Sequence, residues 1–310
     1  MKTFRSIKNF DSKTPTVLTI GTFDGVHIGH KKILNRLTNT SKNNNLAATV
    51  LTFFPHPRMV LQKDTTIKLI HTIDERAQIL DDIGIENLII QPFSKEFSRL
   101  TAADFVRDIL VKQLNVKHII VGYDHRFGRN RTANIENLKE FGEIYDFTVE
   151  EISAQDINEV AVSSTKIRNA LTKGDIETVN TYLGTPFQLN GTVTKGKGIG
   201  KTINYPTANI TISETYKMIP KNGVYIAQAT INGKLYEGMM NIGHNPTVSG
   251  TKQSIEIHLF NFNRDIYDEN ITVSVLKRLR DEQKFESVAL LKNQLEKDQQ
   301  EALHYFTHHE

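Results

Sequence analysis

The chain has 310 residues, enough for about two domains, and its 38% hydrophobic and 24% charged residues are ordinary for a globular protein. It contains no Cys, which excludes a disulfide framework, a thiolate metal site and a catalytic thiol. The net charge of +3 is a mild basic excess and gives no reason to expect nucleic-acid binding. The polar N-terminal stretch does not read as a signal peptide, and no apolar run is long enough to cross a bilayer. We therefore expect a cytoplasmic protein without a nucleic-acid or membrane partner.

The first informative stretch is TIGTFDGVHIGHKKIL at residues 19–34. A β-branched run at 17–20 predicts a buried strand, and apolar residues at helical spacing predict a helix over 29–38. Between them, Gly21 and Gly25 allow the backbone to come close to a ligand. The helix start offers unpaired N–H groups and the positive end of the helix dipole. This strand, turn and helix predict an anion site, with phosphate as the expected ligand.

Two histidines lie at the start of the predicted helix. His27 and His30 are three residues apart, so both can face the same anion. A lone histidine beside a turn is more often a plain surface residue, but the His-x-Gly-His pattern after Phe-Asp-Gly favours a functional pair.

Up to about residue 184, short apolar strands alternate with predicted helices. Further strands are predicted at 47–54, 87–91, 117–122 and 147–152. Thr72 is a predicted cap for a helix over 73–83, and Thr101 for a helix running to 114. The alternation predicts a mostly parallel, doubly wound α/β sheet with ligands beyond the carboxyl ends of its strands.

Two more polar segments follow strands in this half. VGYDHRFGRNR places Asp124 after a strand, followed by Arg126, Arg129 and Arg131, although a solvated basic loop is an equally good interpretation. VSSTKIRNAL then crowds hydroxyl groups at a helix start, where plain N-caps are an equal alternative. Arg168 lies one turn inside that helix, where its guanidinium can reach a phosphate held by the helix N-terminus.

The stretch GTFDGVHIGH contains the HxGH signature of nucleotidyltransferases and resembles the adenylyltransferase half of bacterial bifunctional riboflavin kinase/FAD synthetases. The resemblance implies catalytic roles for His27, His30 and Arg168. It also implies nucleotide or phosphate contacts by Gly21, Phe23, Asp24, Gly25, Gly29, Ser163, Ser164 and Thr165, and flavin contacts by Asp124 and Phe127. His125 stands where this family usually has Phe, so we assign it no stacking role. Nucleotidyl transfer needs alignment and charge neutralisation, with no covalent nucleophile from the protein.

The pattern changes near residues 182–187. Six short strands are predicted at 187–195, 207–212, 224–231, 235–242, 254–260 and 271–276. The pair Asn232-Gly233 between two of them predicts a tight hairpin. These strands predict a closed or nearly closed antiparallel barrel, and a final helix from about residue 285 is expected to pack on it through Val288, Leu291 and Leu295.

The segment GKGIGKT at 196–202 is one residue shorter than a Walker A loop, and Pro206 prevents the long helix that such a loop requires. The following YPTANI and the strand SIEIHLF resemble riboflavin kinases. That resemblance implies a phosphate flap, Mg²⁺ binding by Thr207 and Asn209, and Glu256 as the catalytic base. The flap residues are Gly196, Gly198, Gly200 and Lys201. From the residues alone, a structural turn and a solvent-facing carboxylate remain open alternatives.

Together the two resemblances predict an adenylyltransferase domain at 1–184 and a riboflavin kinase barrel at 185–310. The expected activity is phosphorylation of riboflavin to FMN and adenylylation of FMN to FAD, with ATP and Mg²⁺. The alternatives are a nucleotidyltransferase for another phosphorylated substrate and a flavin or nucleotide sensor without turnover. The oligomeric state is left open.

Overall fold

Six stretches of the first unit, Met1–Ser164, form one sheet in the computed structural model of the chain. The structure describes all residues except 12, 63–65, 154–161, 197–198, 248–249 and 309–310, and omits the side chains of 199, 201, 245–247 and 250–252. The strands are β1 (Lys2–Phe4), β2 (Thr16–Ile20), β3 (Ala47–Phe53), β4 (Asn87–Gln91), β5 (Val116–Gly122) and β6 (Thr148–Ile152). Their order is β1-β4-β3-β2-β5-β6, and each neighbouring pair is parallel. The predicted parallel α/β sheet is confirmed.

Helices connect these strands. They are α1 (Ile28–Asn44), α2 (Pro57–Leu61), α3 (Ile73–Asp82), α4 (Ala102–Asp104) and α5 (Ile135–Tyr145), and α4 continues as a π-helix over Phe105–Gln113. Short 3₁₀ turns lie at Ile7–Asn9, Phe97–Arg99 and Arg129–Arg131. The predicted cap of α3 is a full capping box, in which the Thr72 side chain accepts from the Glu75 amide and the Glu75 side chain accepts from the Thr72 amide. Both faces of the sheet are covered, since Val17 and Leu18, adjacent on β2, belong to different core clusters.

The second unit, Thr165–Glu310, holds a closed antiparallel barrel of six strands. Its elements, with the helix that leads into it, are α6 (Ser164–Lys173), α7 (Ile176–Leu183), β7 (Phe187–Thr194), α8 (Ile199–Thr202), β8 (Ala208–Thr211), β9 (Gly223–Ile231), β10 (Lys234–Thr247), β11 (Gly250–Leu259), β12 (Asn270–Arg280) and α9 (Val288–His308). The strand order is β10-β11-β8-β7-β12-β9. Asn232 and Gly233 form the predicted tight turn between β9 and β10, with φ of 48° and 76°. The predicted barrel is confirmed.

The helices before the barrel pack on it. The Asn180 amide on α7 donates to the carbonyl of Val275 at 2.9 Å, and its oxygen accepts from the amide of Phe187 at 2.8 Å. Contacts therefore group residues 165–184 with the barrel, whereas the functional boundary at 184/185 stays a prediction.

The C-terminal helix α9 covers one part of the barrel. Leu295, Ala302 and Phe306 pack against a cluster that includes Ile226 and Phe260. Val288 is 63% exposed, so its predicted place on the packing face is wrong, because α9 begins at this residue and its contacts start one turn later. Among the described residues, no helix has the length and hydropathy needed to cross a membrane.

Candidate active sites

The first candidate site is the turn between β2 and α1. The backbone takes a positive φ at Phe23 (47°), Gly25 (93°) and Val26 (35°), and the Val26 amide donates to the Phe23 carbonyl at 3.1 Å. Glycine adopts such angles readily, whereas Phe and β-branched Val are strained there. Strained residues persist where their surroundings fix them, and they cluster at functional sites. The tight turn delivers the chain directly to the start of α1, where Gly29 is buried.

The structure brings the two predicted histidines together. His27 is the N-cap of α1, and its Nδ1 accepts from the amide of His30 at 3.3 Å. The two rings are stacked, with centroids 3.6 Å apart and planes 14° apart. The Phe23 ring meets His30 edge-on at 5.2 Å. This packing leaves the imidazoles little freedom beside the anion-attracting end of the helix.

The charge state of the pair follows from its burial. Burial lowers the pKa of His27 to about 4, against an opposing effect of Asp24. Burial likewise lowers the pKa of His30 well below its ordinary value, and the nearby His27, Arg76 and His71 lower it further. Both rings are therefore neutral near pH 7, which permits the close stack. A phosphate arriving beside them would raise both pKa values.

The predicted nucleotide residue Asp24 lies under the turn. Its side chain is 0% exposed, and Oδ1 accepts from the amides of Ile70 at 2.9 Å and His71 at 3.3 Å. The Asp24 carbonyl accepts from the hydroxyl of Ser164 at 2.8 Å. Gly21 lies beneath the Phe23 ring, which a Cβ at Gly21 would approach to 3.1 Å. In this conformation the Asp24 carboxylate holds the turn in place. Ser164 connects the hydroxyl-rich motif VSSTKIRNAL to the turn.

The loop after β5 lies next to this turn along the sheet, because β2 and β5 are neighbours. Asp124 is exposed at its start. Phe127 is 7% exposed and packs 6.1 Å from the ring of Phe105. His125, to which sequence reasoning gave no stacking role, stacks on Phe127 with centroids 5.9 Å apart. The described Phe127 side chain is thus a core residue, and a flavin contact here would involve the exposed part of the loop.

The loop also carries the three arginines that the sequence could not rank. Arg126, Arg129 and Arg131 are all exposed, and Arg131 has a φ of 58°. They form a basic rim, and Arg131 is close enough to His125 to contribute to the lowering of its pKa.

The hydroxyl-rich motif forms the start of α6. Ser163 precedes the helix, Ser164 begins it and Thr165 is exposed in its first turn. Arg168 is partly exposed one turn further on, as predicted from the spacing.

The second candidate site lies on β8 and β11 of the barrel. The two strands pair so that Glu256 is opposite Asn209. The hydroxyl of Thr207 donates to Oε2 of Glu256 at 3.1 Å. Thr207, Asn209 and Glu256 are therefore brought together, as the sequence predicted. A cavity of about 340 Å³ is lined by Thr207 and Glu256, together with Tyr205, Met239, Asn241, Arg280 and Leu295.

The strand face that carries Glu256 is covered. Ile255 and Ile257 point into the barrel core, with 6% and 1% exposure. On the opposite face Glu256 and His258 line the cavity, and the ring of Phe260 packs against Phe306 of α9. Glu256 is partly buried on the wall of this cavity, and its role as a base stays a prediction.

His258 connects the site to a second hollow. Its Nδ1 bonds to the carbonyl of Pro206 at 2.7 Å, and since a carbonyl can only accept, Nδ1 carries the proton. A wider cavity of about 770 Å³ begins at these two residues and continues past Asn204, Asn261 and Gln299. The barrel thus offers a partly apolar cavity beside a more polar one, which suits a ring system and a nucleotide.

The predicted phosphate flap is described in part. A Cβ at Gly196 would lie 2.1 Å from the side-chain nitrogen Nδ2 of Asn209. A Cβ at Gly200 would lie 2.1 Å from the carbonyl oxygen of Tyr205. Only glycine permits such close approach of this backbone to the predicted metal ligand. Gly198 and the Lys201 side chain lie outside the described residues. The four-residue α8 ends before Pro206, which agrees with the exclusion of a Walker A loop.

Sequence reasoning missed several residues of the cavity wall. Met239 and Arg280 carry no chemical pattern in the sequence, and they meet only when the barrel closes. Tyr205 opens the motif YPTANI, but its place in the cavity wall was not predicted. Asn241 had a signal, because it opens the motif NIGHNPT that matches riboflavin kinases.

The donor set of the barrel site fits a hard cation. The hydroxyl of Thr207 and the amide oxygen of Asn209 are oxygen ligands of the kind that Mg²⁺ prefers, and the Glu256 carboxylate lies beside them. In the described residues no group of three His, Cys, Asp or Glu side chains could hold a metal, so a softer transition-metal site is not offered there.

Comparison with known proteins assigns each half of the chain separately. A family model described as FAD synthetase matches residues 9–166, and one described as riboflavin kinase matches residues 183–306. A curated protein of Buchnera aphidicola, a bifunctional riboflavin kinase/FMN adenylyltransferase, is 38% identical over 99% of this chain and 99% of its own length. The chain belongs to the family of bifunctional riboflavin kinase/FMN adenylyltransferases.

A second curated relative and one solved structure are also similar to this chain over nearly its whole length. The Bacillus subtilis bifunctional riboflavin kinase/FMN adenylyltransferase is 35% identical over 96% of this chain and 94% of its own. A crystal structure described as a macrolide-efflux protein from Streptococcus pneumoniae has a TM-score of 0.88 and 32% identity, covering 96% of this chain and 97% of that chain. Macrolide efflux is said of the Streptococcus pneumoniae protein alone. The structural similarity covers residues of both units of this riboflavin kinase/FMN adenylyltransferase family member.

Proposed function

We propose that this chain makes FAD from riboflavin in two steps, each on its own unit. The barrel transfers the γ-phosphoryl group of ATP to riboflavin and forms FMN. The α/β unit transfers the adenylyl group of a second ATP to FMN and releases pyrophosphate. The observation that carries the proposal is that the FAD synthetase match, residues 9–166, covers sheet strands β2 to β6 together with His27 and His30, while the riboflavin kinase match, residues 183–306, covers the barrel with Thr207, Asn209 and Glu256. Both steps consume ATP, so we place the enzyme in the cytoplasm.

In adenylyl transfer, a phosphate oxygen of FMN attacks the α-phosphorus of ATP and pyrophosphate leaves. Negative charge builds up on the oxygens around that phosphorus. The neutral rings of His27 and His30 supply N–H donors at the start of α1, and Arg168 supplies a positive charge. Donors fixed before the reaction stabilise the transition state without reorganising.

In the kinase step, Glu256 accepts the proton of the riboflavin 5′-hydroxyl while that oxygen attacks the γ-phosphorus of ATP, the bond to the β-phosphate oxygen breaks and ADP leaves. The hydrogen bond from Thr207 orients the carboxylate toward the cavity. The partly apolar cavity of about 340 Å³ holds the flavin ring, and the adjoining polar cavity holds the nucleotide.

Mg²⁺ is part of this proposal for the barrel. Thr207 and Asn209 would hold it, and the flap at Gly196 lies against Asn209. When bound, the ion neutralises charge on the ATP phosphates.

The test is to mix the purified chain with riboflavin and Mg-ATP and to follow FMN and FAD by chromatography. We expect FMN to appear first and FAD to follow. Supplying FMN should give FAD directly, with one pyrophosphate released for each FAD. A different adenylylated product would identify another nucleotidyltransferase, and binding without product would identify a sensor.

A further inference from the structure

Arg76 on α3 is a buried arginine directly beneath the turn of the first site. Its side chain is 1% exposed. Nη1 donates to the carbonyl of Thr22 at 2.6 Å and to the hydroxyl of Thr52 at 3.4 Å. Nη2 lies 4.0 Å from Oδ1 of Asp24, which is itself fully buried. One guanidinium therefore connects the ends of β2 and β3 to the turn that follows β2.

Such a burial requires compensation. A guanidinium out of water is unfavourable unless carboxylate and carbonyl oxygens surround it. Arg76 is compensated by the hydrogen bond from Nη1 to the Thr22 carbonyl and by the Asp24 carboxylate, which lies at an ion-pair distance of 4.0 Å from Nη2 at the other end of the planar fork. A lysine at this position would carry the charge but could not span the same set of oxygens.

The hydrogen bond from Arg76 to the Thr22 carbonyl matters because Thr22 directly precedes the strained turn. The residue after Thr22, Phe23, has a φ of 47°, and Val26 follows at 35°. A strained turn of this kind reverts to a relaxed conformation unless contacts at both ends fix it. Arg76 fixes the Thr22 end, while Asp24 is fixed by the amides of Ile70 and His71. The turn ends at His27, so its conformation decides where the histidine stack lies.

We infer that Arg76 is a positioning residue for adenylyl transfer: its guanidinium holds the turn from Thr22 to Val26 so that His27 and His30 meet the phosphates together. It does not touch the reacting atoms. The inference rests on the proposed function of the α/β unit and adds a residue that the HxGH motif does not contain.

The pKa of His30 in the histidine pair provides a readout that does not depend on activity. The charged and titratable groups that face His30 are His27, His71 and Arg76, and Asp24 acts on His27. The positive charge of Arg76 contributes to the low pKa of His30. Replacing it with a neutral group therefore raises that pKa, whereas a lysine retains the effect.

The experiment compares wild type with R76Q, R76K and the control R107Q. Arg107 also pairs with carboxylates in the same unit, but it is 43% exposed and distant in sequence from the turn. For each protein, kcat and KM for FMN adenylylation, the riboflavin kinase rate and the thermal unfolding of the first unit are measured. NMR titration of the histidine rings follows the stacked pair without reference to activity.

We expect R76Q to lower kcat of adenylylation by about 10²-fold, since a displacement of about 1 Å at a reacting site has that effect. R76K should lower it by about tenfold, because its charge remains while the fork is lost. KM for ATP and the kinase rate should stay within about threefold, and R107Q should match wild type. The His30 pKa should rise in R76Q and stay low in R76K.

The inference is overturned if folded R76Q or R76K keeps its adenylylation kcat within about threefold of wild type. If R76Q does not fold in its first unit, R76K decides by the same criterion. Failure of the proposed function looks different, because wild type itself would then form no FAD from FMN. In that case the NMR titration still reports on the role of Arg76 in the turn: unchanged His27 and His30 signals in R76Q would refute it.

Discussion

The two candidate sites differ in what they are made from. The first consists of backbone geometry: a strained turn at 23–26, a helix start and two neutral rings stacked 3.6 Å apart. The second consists of side chains on barrel strands, where Thr207 and Glu256 face a cavity of about 340 Å³. No residue of the turn is needed to build the cavity.

The difference corresponds to the chemistry of each step. Adenylyl transfer starts from a phosphate that is already ionised, so its site needs donors and has no need of a strong base. Phosphorylation of riboflavin starts from an alcohol, which must lose a proton, so its site needs a carboxylate such as Glu256. Variants that affect one site should therefore leave the other reaction intact.

The largest expected separation comes from the histidine pair. Replacing both His27 and His30 by Ala should lower FMN adenylylation by about 10²-fold or more, since removing one donor to the developing charge commonly costs about 10²-fold and the two rings act as a unit. The measurement is the initial rate of FAD formation from supplied FMN, with riboflavin phosphorylation measured on the same protein.

A control exists on α9, where the rings of His304 and His308 also lie close together, with centroids 4.2 Å apart and planes tilted by 42°. Replacing that pair by Ala should leave both rates near wild type. Equal loss of both activities in folded H27A/H30A protein would contradict the assignment of two separate sites.

Glu256→Gln tests the barrel site in the same way. The variant keeps the size and hydrogen-bonding reach of the side chain but cannot accept a proton, so FMN formation should fall by about 10²- to 10⁴-fold. FAD formation from FMN should persist. E269Q is the control, because Glu269 is another barrel carboxylate that pairs with Arg264 at 3.1 Å and does not line the cavity. A kinase rate within a few-fold of wild type would remove Glu256 from the role of base.

Much of the fold could be predicted because its signals are local. The β-branched runs of the sheet, the helix caps at Thr72 and Thr101 and the hairpin at Asn232-Gly233 each follow from neighbouring residues, and all three are found. Strand β1 could not be predicted, because three residues, KTF, form a strand only when β4 is beside them. The widened turns at Phe105–Gln113 likewise depend on tertiary packing and leave no pattern in the sequence.

The candidate sites show the same limit. HxGH and PTAN were visible because their chemistry lies in adjacent residues. Arg76 was not visible, because its partners Thr22 and Asp24 are more than 50 residues earlier in the chain. Asp24 was predicted to serve the nucleotide directly, whereas the structure places its carboxylate on backbone amides below the turn. We predict that Asp24 acts on the nucleotide through the turn.

A smaller effect is expected from the flap of the barrel. Gly196→Ala would place a Cβ 2.1 Å from the amide nitrogen of Asn209, which must then move. If Asn209 holds Mg²⁺, the kinase should need about tenfold more Mg²⁺ for half-maximal rate, the size of effect typical for disturbing the support of a metal ligand. The measurement is the kinase rate against Mg²⁺ concentration, with FAD formation from FMN as the internal control. An unchanged Mg²⁺ dependence would argue against Asn209 as a ligand.

The smallest effect concerns stability of the first unit alone. His125 stacks on Phe127, and among the described residues its buried Nε2 has no hydrogen-bond partner. Replacing it with Phe, the residue usual at this place in the related family pattern, removes a buried unsatisfied nitrogen and keeps the stack. We expect the free energy of unfolding at pH 7 to rise by about 1 kcal/mol. His118→Phe is the control, because the Nε2 of His118 also makes no hydrogen bond to a described residue but faces a Glu150 carboxylate oxygen at 3.4 Å, so its removal gives up an electrostatic attraction and should bring a smaller gain.

The sign of the pH dependence sharpens this last test. Burial lowers the pKa of His125 to about 4, below its ordinary value of 6.5. Between those two values the unfolded chain binds a proton that the folded chain does not, so wild type loses stability as the pH falls through that window. Since H125F lacks the group, its advantage over wild type should grow below pH 6.5 by up to about 1.4 kcal/mol per pH unit. Chemical denaturation of both proteins at pH 7, 6 and 5 measures it, with kinase activity reporting separately on the barrel. A constant difference across this range would mean that His125 binds protons equally in the folded and unfolded chain, so that burial does not lower its pKa.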